Sequence, residues 1–320
     1  ADVTTGESNA AVGAFALENN TTGVGNVAIG SWDSSTYQAP LTTNTVGSFN
    51  IAIGSGVLRL ANEDDNDGSV GIGYGALNNQ AGTGGVQFAN ATTAVGYKAL
   101  EALTTGTNNT AVGYLALSSN VTGTGNVALG TNALKGGGNC SHNIAVGANS
   151  LFSVTTGAQN IVIGGSAGYT LSNSSYNVLI GHGAGNIISN NQTTTDGTTA
   201  VGNMALSTLT SGAENTAVGY NSMSETTQGG YNTTLGYNTM YRDAGLVNTN
   251  NTFIGANAGS GDWTTTACTS NTGVGAGVMQ GAMEGATNNT AIGLDGLNAL
   301  TTGDNNTGLG RTALAGVTTG

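Results

Sequence analysis

Hydrophobic and polar residues recur along the whole chain in one unit, N-[T/V/I]-A-[V/I/L]-G-x-x-A-L, which is followed by x-x-x-T-T-G-x-x. Nine of the sixteen intervals between its seventeen copies are 17 residues long, and the extra residues of the other seven fall between unit position 9 and the next copy. Because so short a unit cannot bury an apolar surface alone, the pattern predicts stacked coils with variable loops. The copies start at residues 9, 26, 50, 69, 92, 109, 126, 143, 160, 177, 198, 215, 232, 251, 271, 289 and 306.

The aliphatic positions of the unit predict a short strand with one buried face. Position 4 is Val, Ile or Leu in every copy, and position 2 is β-branched in every copy except at Ala10. Since alternate residues of a strand share a face, we expect positions 2 and 4 to form the core and the small residue at position 3 to face outwards. Position 9 is Leu in ten copies and Met in three, and it is expected to fill the opposite wall of the core.

The remaining fixed positions predict how each coil turns. Gly at position 5 in every copy indicates a bend with positive φ or a backbone approach too close for a Cβ atom. Asn at position 1 in 14 copies indicates a ladder of stacked amide side chains, and T-T-G at positions 13 to 15 indicates the return turn. β-branched residues and Gly oppose a helical repeat. We therefore predict an all-β fold, a parallel β-solenoid (β-roll) of about 17 coils with insertions on one edge, as a single repeat domain over residues 1–320.

Composition and charge exclude several classes of protein. The 320 residues include 55 Gly but a single Pro, which excludes collagen, and the 38% of hydrophobic residues supply the apolar surface that a disordered chain lacks. The net charge is −12, and only five Lys and Arg residues are scattered along the chain. Without a basic stripe, nucleic acid and anionic membranes are not expected partners. No apolar run approaches the length of about 20 residues that a membrane span needs.

The unit at 109–117, N-T-A-V-G-Y-x-A-L, and the similar one at 215–223 resemble two related groups of repeats. One is the head of trimeric autotransporter adhesins; the other is the shaft of bacteriophage tail fibres and of bacterial surface proteins with a self-cleaving chaperone domain. The resemblance implies a left-handed roll with three chains side by side, located outside the cell, at its surface or on a virion. The adhesin-head repeat is shorter, and neither a stalk and anchor nor the chaperone domain is seen here. The chain opens and closes near a T-T-G, so a piece of a longer fibre and a head-to-tail filament both stay open.

These observations favour a structural fibre protein with a surface that binds cell-surface glycans, and they do not favour an enzyme. His142 and His182 are the only histidines, and no Ser or Cys lies in a distinctive nucleophile motif, so we expect no catalytic site and no cofactor. An ice-binding β-solenoid is the alternative function. It would need a regular T-x-T array on a flat face, whereas the T-T pairs of this unit place their hydroxyl groups on opposite sides.

An acidic run before Gly68 is the candidate metal site. Glu63, Asp65 and Asp67 occupy alternate positions, as in the opening of a calcium loop, although Tyr74 stands where that loop has its bidentate Glu. A Ca²⁺ site and a solvated acidic insertion are both compatible with this pattern.

Aromatic residues supply the candidate glycan-binding sites. Trp32 and Trp263 lie in longer insertions, where binding residues concentrate, and we expect them to contact sugars. A row of Tyr at position 6 is either a second sugar-stacking surface or a structural ladder; its members are Tyr74, Tyr97, Tyr114, Tyr220 and Tyr237. Cys140 and Cys268 lie seven unit starts apart, too far for a disulfide within one solenoid, which leaves free thiols or bonds between molecules.

Overall fold

A computed structural model describes residues 5–32, 38–59, 67–79, 91–187, 195–242 and 245–320. In these residues the regular secondary structure consists of 17 parallel strands of three residues, one for each unit, with no helix. The predicted all-β parallel solenoid is therefore confirmed. The chain divides into two compact units, Ala1–Gln159 and Asn160–Gly320, each of which is a stack of coils.

The first unit contains eight strands, and consecutive strands within it pair in parallel. The register always joins equal unit positions: Val27 lies opposite Ile51 although 24 residues separate them. Insertions therefore leave the strand register unchanged. The strands are β1 (Ala10–Val12), β2 (Val27–Ile29), β3 (Ile51–Ile53), β4 (Val70–Ile72), β5 (Thr93–Val95), β6 (Thr110–Val112), β7 (Val127–Leu129) and β8 (Ile144–Val146).

The second unit contains nine strands with the same parallel pairing. Here, too, the register survives insertions, since Thr252 lies opposite Thr272 across a 20-residue interval. The strands are β9 (Ile161–Ile163), β10 (Val178–Ile180), β11 (Thr199–Val201), β12 (Thr216–Val218), β13 (Thr233–Leu235), β14 (Thr252–Ile254), β15 (Thr272–Val274), β16 (Thr290–Ile292) and β17 (Thr307–Leu309).

The strands face the opposite way from the sequence expectation. The middle residue, at position 3, is buried in every strand except β1, while positions 2 and 4 are partly or largely exposed. Ala111, for example, is 0% exposed, and its neighbour Val112 is 39% exposed. The prediction that positions 2 and 4 form the core is wrong, because the side chain of position 9 fills most of the narrow coil and leaves space at position 3 only for a small residue in most coils. The Leu or Met of position 9 is buried as expected in every such coil except the last, at Leu314.

The volumes at positions 3 and 9 compensate each other inside the coil. Three coils have a large residue at position 3, and the same three have Gly at position 9, where thirteen other coils have Leu or Met. A Cβ atom on Gly259 would lie 2.9 Å from the ring of Phe253, so the two positions share one space. The pairs are Val162 with Gly168, Leu179 with Gly185, and Phe253 with Gly259.

Gly at position 5 serves both purposes that the sequence suggested. All 17 of these residues have positive φ, as at Gly113 with 142°. A Cβ atom on Gly113 would lie 2.4 Å from the carbonyl oxygen of Gly130, the equivalent residue of the next coil. Both the conformation and the stacking distance therefore exclude a side chain.

The predicted Asn ladder runs through the interior of the coils. Oδ1 of Asn109 accepts hydrogen bonds from the backbone N and from Nδ2 of Asn126, both at 3.0 Å. Nδ2 of Asn109 donates to the carbonyl oxygen of Gly123, in the T-G turn of its own coil, at 2.8 Å. The amide side chain thus joins the strand, the return turn and the next coil. At Thr198 the ladder is interrupted, and within the described part of the chain its buried Oγ1 has no hydrogen-bond partner.

Candidate functional site

The outer face of the parallel strands is the most extensive candidate site. In the first unit, Val112 and Leu129 face each other at position 4 of β6 and β7, Ile144 stands at position 2 of β8, and the three side chains are 39%, 37% and 37% exposed. Equal positions follow one another at one strand spacing, about 4.8 Å. Exposed apolar side chains in a continuous row are unusual on a protein that stays alone in water and indicate an interaction surface.

The composition of this outer face changes along the second unit. Position 2 is Ile161 in β9 and Val178 in β10, but it is Thr in all seven strands from β11 to β17. Strand pairing keeps these Thr residues in register, beside the aliphatic row of position 4. The sequence expectation missed this Thr row because it placed position 2 in the core. The row comprises Thr199, Thr216, Thr233, Thr252, Thr272, Thr290 and Thr307.

The Tyr residues of position 6 stack on one another. Ring centroids lie 5.6 Å apart for Tyr74 and Tyr97, 5.2 Å for Tyr97 and Tyr114, and 5.6 Å for Tyr220 and Tyr237, with nearly parallel planes. A stacked ring turns its face to its neighbour, so both faces of Tyr97 are covered. This geometry agrees with the structural-ladder interpretation, because a sugar ring stacks on a free aromatic face.

Trp32 presents an exposed aromatic surface. Its side chain is 51% exposed and meets the ring of Phe15 edge to face, with centroids 5.7 Å apart. The two rings border a shallow groove of about 120 Å³ that is also lined by Glu18, Gln38, Ala39 and Thr42. An open aromatic ring beside a carboxylate and an amide has the groups that recognise a sugar, so Trp32 remains a candidate for glycan binding.

Trp263 has a different environment from the one that the sequence suggested. It is fully buried, and its ring centroid lies 5.7 Å from that of Phe253 in the coil interior. Its ring faces are therefore closed to sugar stacking. Its indole Nε1, however, has no hydrogen-bond partner among the described residues.

The candidate calcium residues are only partly described. Glu63 and Asp65 lie outside the described residues. Asp67 is described, and its carboxylate accepts a hydrogen bond of 2.6 Å from the backbone N of Ser48 in the preceding coil. Asp196 and Asp304, at the same distance before a unit start, bind the preceding turns in the same way. Where the chain is described, no three His, Cys, Asp or Glu side chains are grouped to hold a metal ion.

Glu284 makes the most elaborate of these contacts between coils. Its carboxylate accepts hydrogen bonds from the backbone N of Thr264, Thr265 and Thr266 and from two of their hydroxyl groups, at distances from 2.6 to 3.0 Å. Desolvation of the carboxylate opposes its ionisation, but the hydrogen bonds outweigh it and lower the pKa of Glu284 to about 2. The sequence signal, an acidic residue one coil after T-T-T, was not recognised.

The cysteine and histidine side chains show no catalytic arrangement. Cys140 and Cys268 are both buried and form no disulfide with each other, as expected for thiols too far apart to pair within the chain, and both stand where the T-T-G turn usually has Gly. Burial raises the pKa of Cys140 to about 12, so its thiol stays protonated. His142 and His182 are exposed.

In the part of the chain that is described, no helix has the length and apolar character of a membrane span. No protein-family model matches the sequence, and no curated protein matches it.

Proposed function

We propose that this chain forms the shaft of an extracellular or virion fibre in which copies associate side by side through the outer face of their strands. The supporting observation is the two outward rows at positions 2 and 4, in which partly exposed Val, Ile and Leu recur on consecutive strands, each row in strict register. Burying such side chains is favourable by about 25 cal/mol per Å², so a face of this kind gains stability when it is covered.

A second copy of the chain is the partner that fits this face best. The rows repeat once per coil at about 4.8 Å, and a surface with the same repeat can match them over many coils. The net charge of −12 disfavours an anionic membrane as the covering surface. The resemblance to adhesin heads and tail-fibre shafts favours three copies. Glycan binding by exposed side chains such as Trp32 would make the fibre adhesive, and head-to-tail filament growth is a further mode of assembly.

Sedimentation velocity and native mass spectrometry of the purified chain test this proposal, with a trimer as the expected result. Leu129 and Ile144 lie at positions 4 and 2 of adjacent strands on the outer face, and both are already partly exposed, so lysines there are compatible with folding. Leu129→Lys combined with Ile144→Lys should weaken association at least about tenfold, because the copies would then bury unpaired charges.

Thr131→Lys is the matched control, because Thr131 is exposed at position 6 and lies off this face. It should leave association unchanged, and circular dichroism should show that all the variants keep their strands. A monomeric wild-type chain at about 100 µM, or a double variant that associates as tightly as Thr131→Lys, would contradict the proposal.

Ice binding is the second candidate function, and the Thr row of β11–β17 favours it. Seven Thr residues point outwards in register beside an aliphatic row, which gives a regular array of hydroxyl and methyl groups. In place of the T-x-T array that ice binding would need, the strands carry T-x-[V/L/I], and this array lies on the strands rather than in the T-T turns.

Thermal hysteresis of the purified chain tests ice binding. The candidate predicts a measurable hysteresis that Thr233→Lys combined with Thr252→Lys removes, because bulky charges interrupt the regular row. Absence of hysteresis in the wild-type chain, or hysteresis that persists in the variant, would exclude the Thr row as an ice-binding face.

A further inference from the structure

Three consecutive coils of the second unit form a groove outside the strands. Its volume is about 340 Å³, and it lies after position 9 of each coil, in the segment where the unit accepts insertions. Such segments differ from coil to coil, so a binding site there can be specific in a way that the uniform strands cannot. Its lining residues are Glu225, Arg242, Asp262, Trp263 and Thr264.

The charged groups of the groove are held in place by one another. Nη1 of Arg242 donates to Oδ1 of Asp262 at 2.9 Å, and the guanidinium group lies 5.8 Å from the ring centroid of Tyr241. The negative charge of Glu225, and the hydrogen bond that the Tyr241 hydroxyl donates to its carboxylate, raise the pKa of Tyr241. The Arg242 and Asp262 side chains remain 55% and 60% exposed, so both can also reach a ligand.

Trp263 supplies an observation that is independent of these charges. It lines the groove and is fully buried, yet its Nε1–H donor has no acceptor among the described residues. Indole nitrogen only donates, and a buried donor without an acceptor is unfavourable. An oxygen atom of a ligand in the groove would satisfy this donor once the side chains that cover the indole move aside.

We propose that this groove binds a neutral sugar, through hydrogen bonds from its hydroxyl groups to Glu225, to the Arg242–Asp262 pair and to the indole of Trp263. A sugar hydroxyl both donates and accepts, which suits a groove with fixed carboxylate acceptors and fixed N–H donors. Two carboxylates against one guanidinium oppose an anionic ligand, and the exposed ion pair opposes an apolar one. The volume lies at the small end of the range of about 300–1,000 Å³ for ligand sites, which suits about one or two sugar rings.

This proposal rests on the adhesive role proposed for the fibre and names its ligand class. It is tested by sugar binding, whereas the fibre proposal is tested by association of the chains. The full chain is screened by saturation-transfer NMR against free glucose, galactose, mannose, N-acetylglucosamine and sialic acid. At least one neutral sugar should receive magnetisation from the protein, and sialic acid should bind more weakly. In a Trp32→Phe chain, Trp263 is the only tryptophan, and the same sugar should shift its fluorescence.

Variants then assign the binding to the groove. Trp263→Phe keeps the aromatic packing but removes the donor, and Glu225→Gln removes an exposed charge; each should weaken binding of the neutral sugar at least about fivefold. Thr131→Lys should leave the affinity unchanged, because Thr131 is exposed and lines neither this groove nor the one beside Trp32.

Three results would overturn the proposal: no binding of any neutral sugar at about 50 mM, preferential binding of sialic acid, or unchanged affinity in both groove variants. Sedimentation of the same variants keeps the two proposals apart, since neither substitution touches the outer strand face. A chain that associates but binds no sugar would refute this site alone.

Discussion

Single glycines decide whether one coil can stack on the next. At position 5 the backbone needs a positive φ, and the carbonyl group of the neighbouring coil occupies the space that a Cβ atom would need. Both effects act at once. Any side chain at this position would therefore lower the free energy of unfolding through a strained backbone conformation and also through a steric clash.

Gly113→Ala tests this position in the first unit. A Cβ atom there would lie 2.4 Å from a carbonyl oxygen, so we expect the free energy of unfolding to fall by at least about 2 kcal/mol. Gly138→Ala is the control, since the nearest atom to its Cβ would lie 3.9 Å away and its φ is not positive; it should change stability by less than about 0.5 kcal/mol. Equal effects of the two variants in urea unfolding would contradict the account.

Glu284 gives the second unit a pH-dependent contact between coils. Its folded-state pKa of about 2 is below the ordinary value of 4.5, so its contribution to stability is complete above the ordinary value and is lost as the pH falls towards 2. Glu284→Gln should lower the urea midpoint at pH 7, and its difference from the wild type should shrink between pH 5 and pH 2. A difference that does not change over this range would show that the carboxylate charge is not responsible.

At the scale of the strand and its coil, the combined volume of the side chains at positions 3 and 9 varies less from coil to coil than the residues themselves do. A Leu at position 9 adopts φ near +50° in every coil that has one, and Gly185 has φ of 57°, so Leu could replace it without a change of backbone. In that coil the space is filled instead by Leu179 from position 3, which is fully buried.

Exchanging the two positions of this coil tests the compensation. Leu179→Ala alone should destabilise the chain by about 2–5 kcal/mol through the cavity that it leaves. Gly185→Leu alone should cost about 1–3 kcal/mol by overpacking. The double variant reproduces the combination of Ala and Leu found in eight of the 17 units and should regain most of the loss, which a double-mutant cycle measures. Additive effects would mean that the two side chains do not share one space.

The sequence was sufficient to predict the stacked coils, but it did not reveal which residues of each strand point into the coil. Gly at position 5, Asn at position 1 and the 17-residue spacing have local causes, so they predicted the bend, the ladder and the parallel register. Whether the Val112 side chain points inwards or outwards depends on the width of the coil. The general preference of large aliphatic residues for protein interiors therefore predicted the wrong direction. The pairing of Leu179 with Gly185 was visible in the sequence and would have indicated that position 3 points inwards. The groove near Trp263 depends on contacts between coils, which no single unit contains.

At the scale of the whole molecule, the outward aliphatic rows mean that folding of a single chain leaves much of its apolar surface exposed. The interior of each coil is filled largely by Ala, Leu and Asn, and the larger β-branched residues stay partly exposed until another surface covers them. The fibre proposal follows from that arrangement, since association would bury the apolar surface that folding leaves in water.

The most direct test compares the reactivity of two adjacent cysteines. Ala111→Cys and Val112→Cys would be made separately in the Leu129→Lys, Ile144→Lys background, in which association should not cover the face. Cys140 and Cys268 are buried and should give little background labelling. The account predicts rapid maleimide labelling of the cysteine at 112 in the folded chain and labelling of the one at 111 only after unfolding. If the cysteine at 111 reacted as fast as the one at 112, or faster, the strands would face the other way and the proposed interface would not exist.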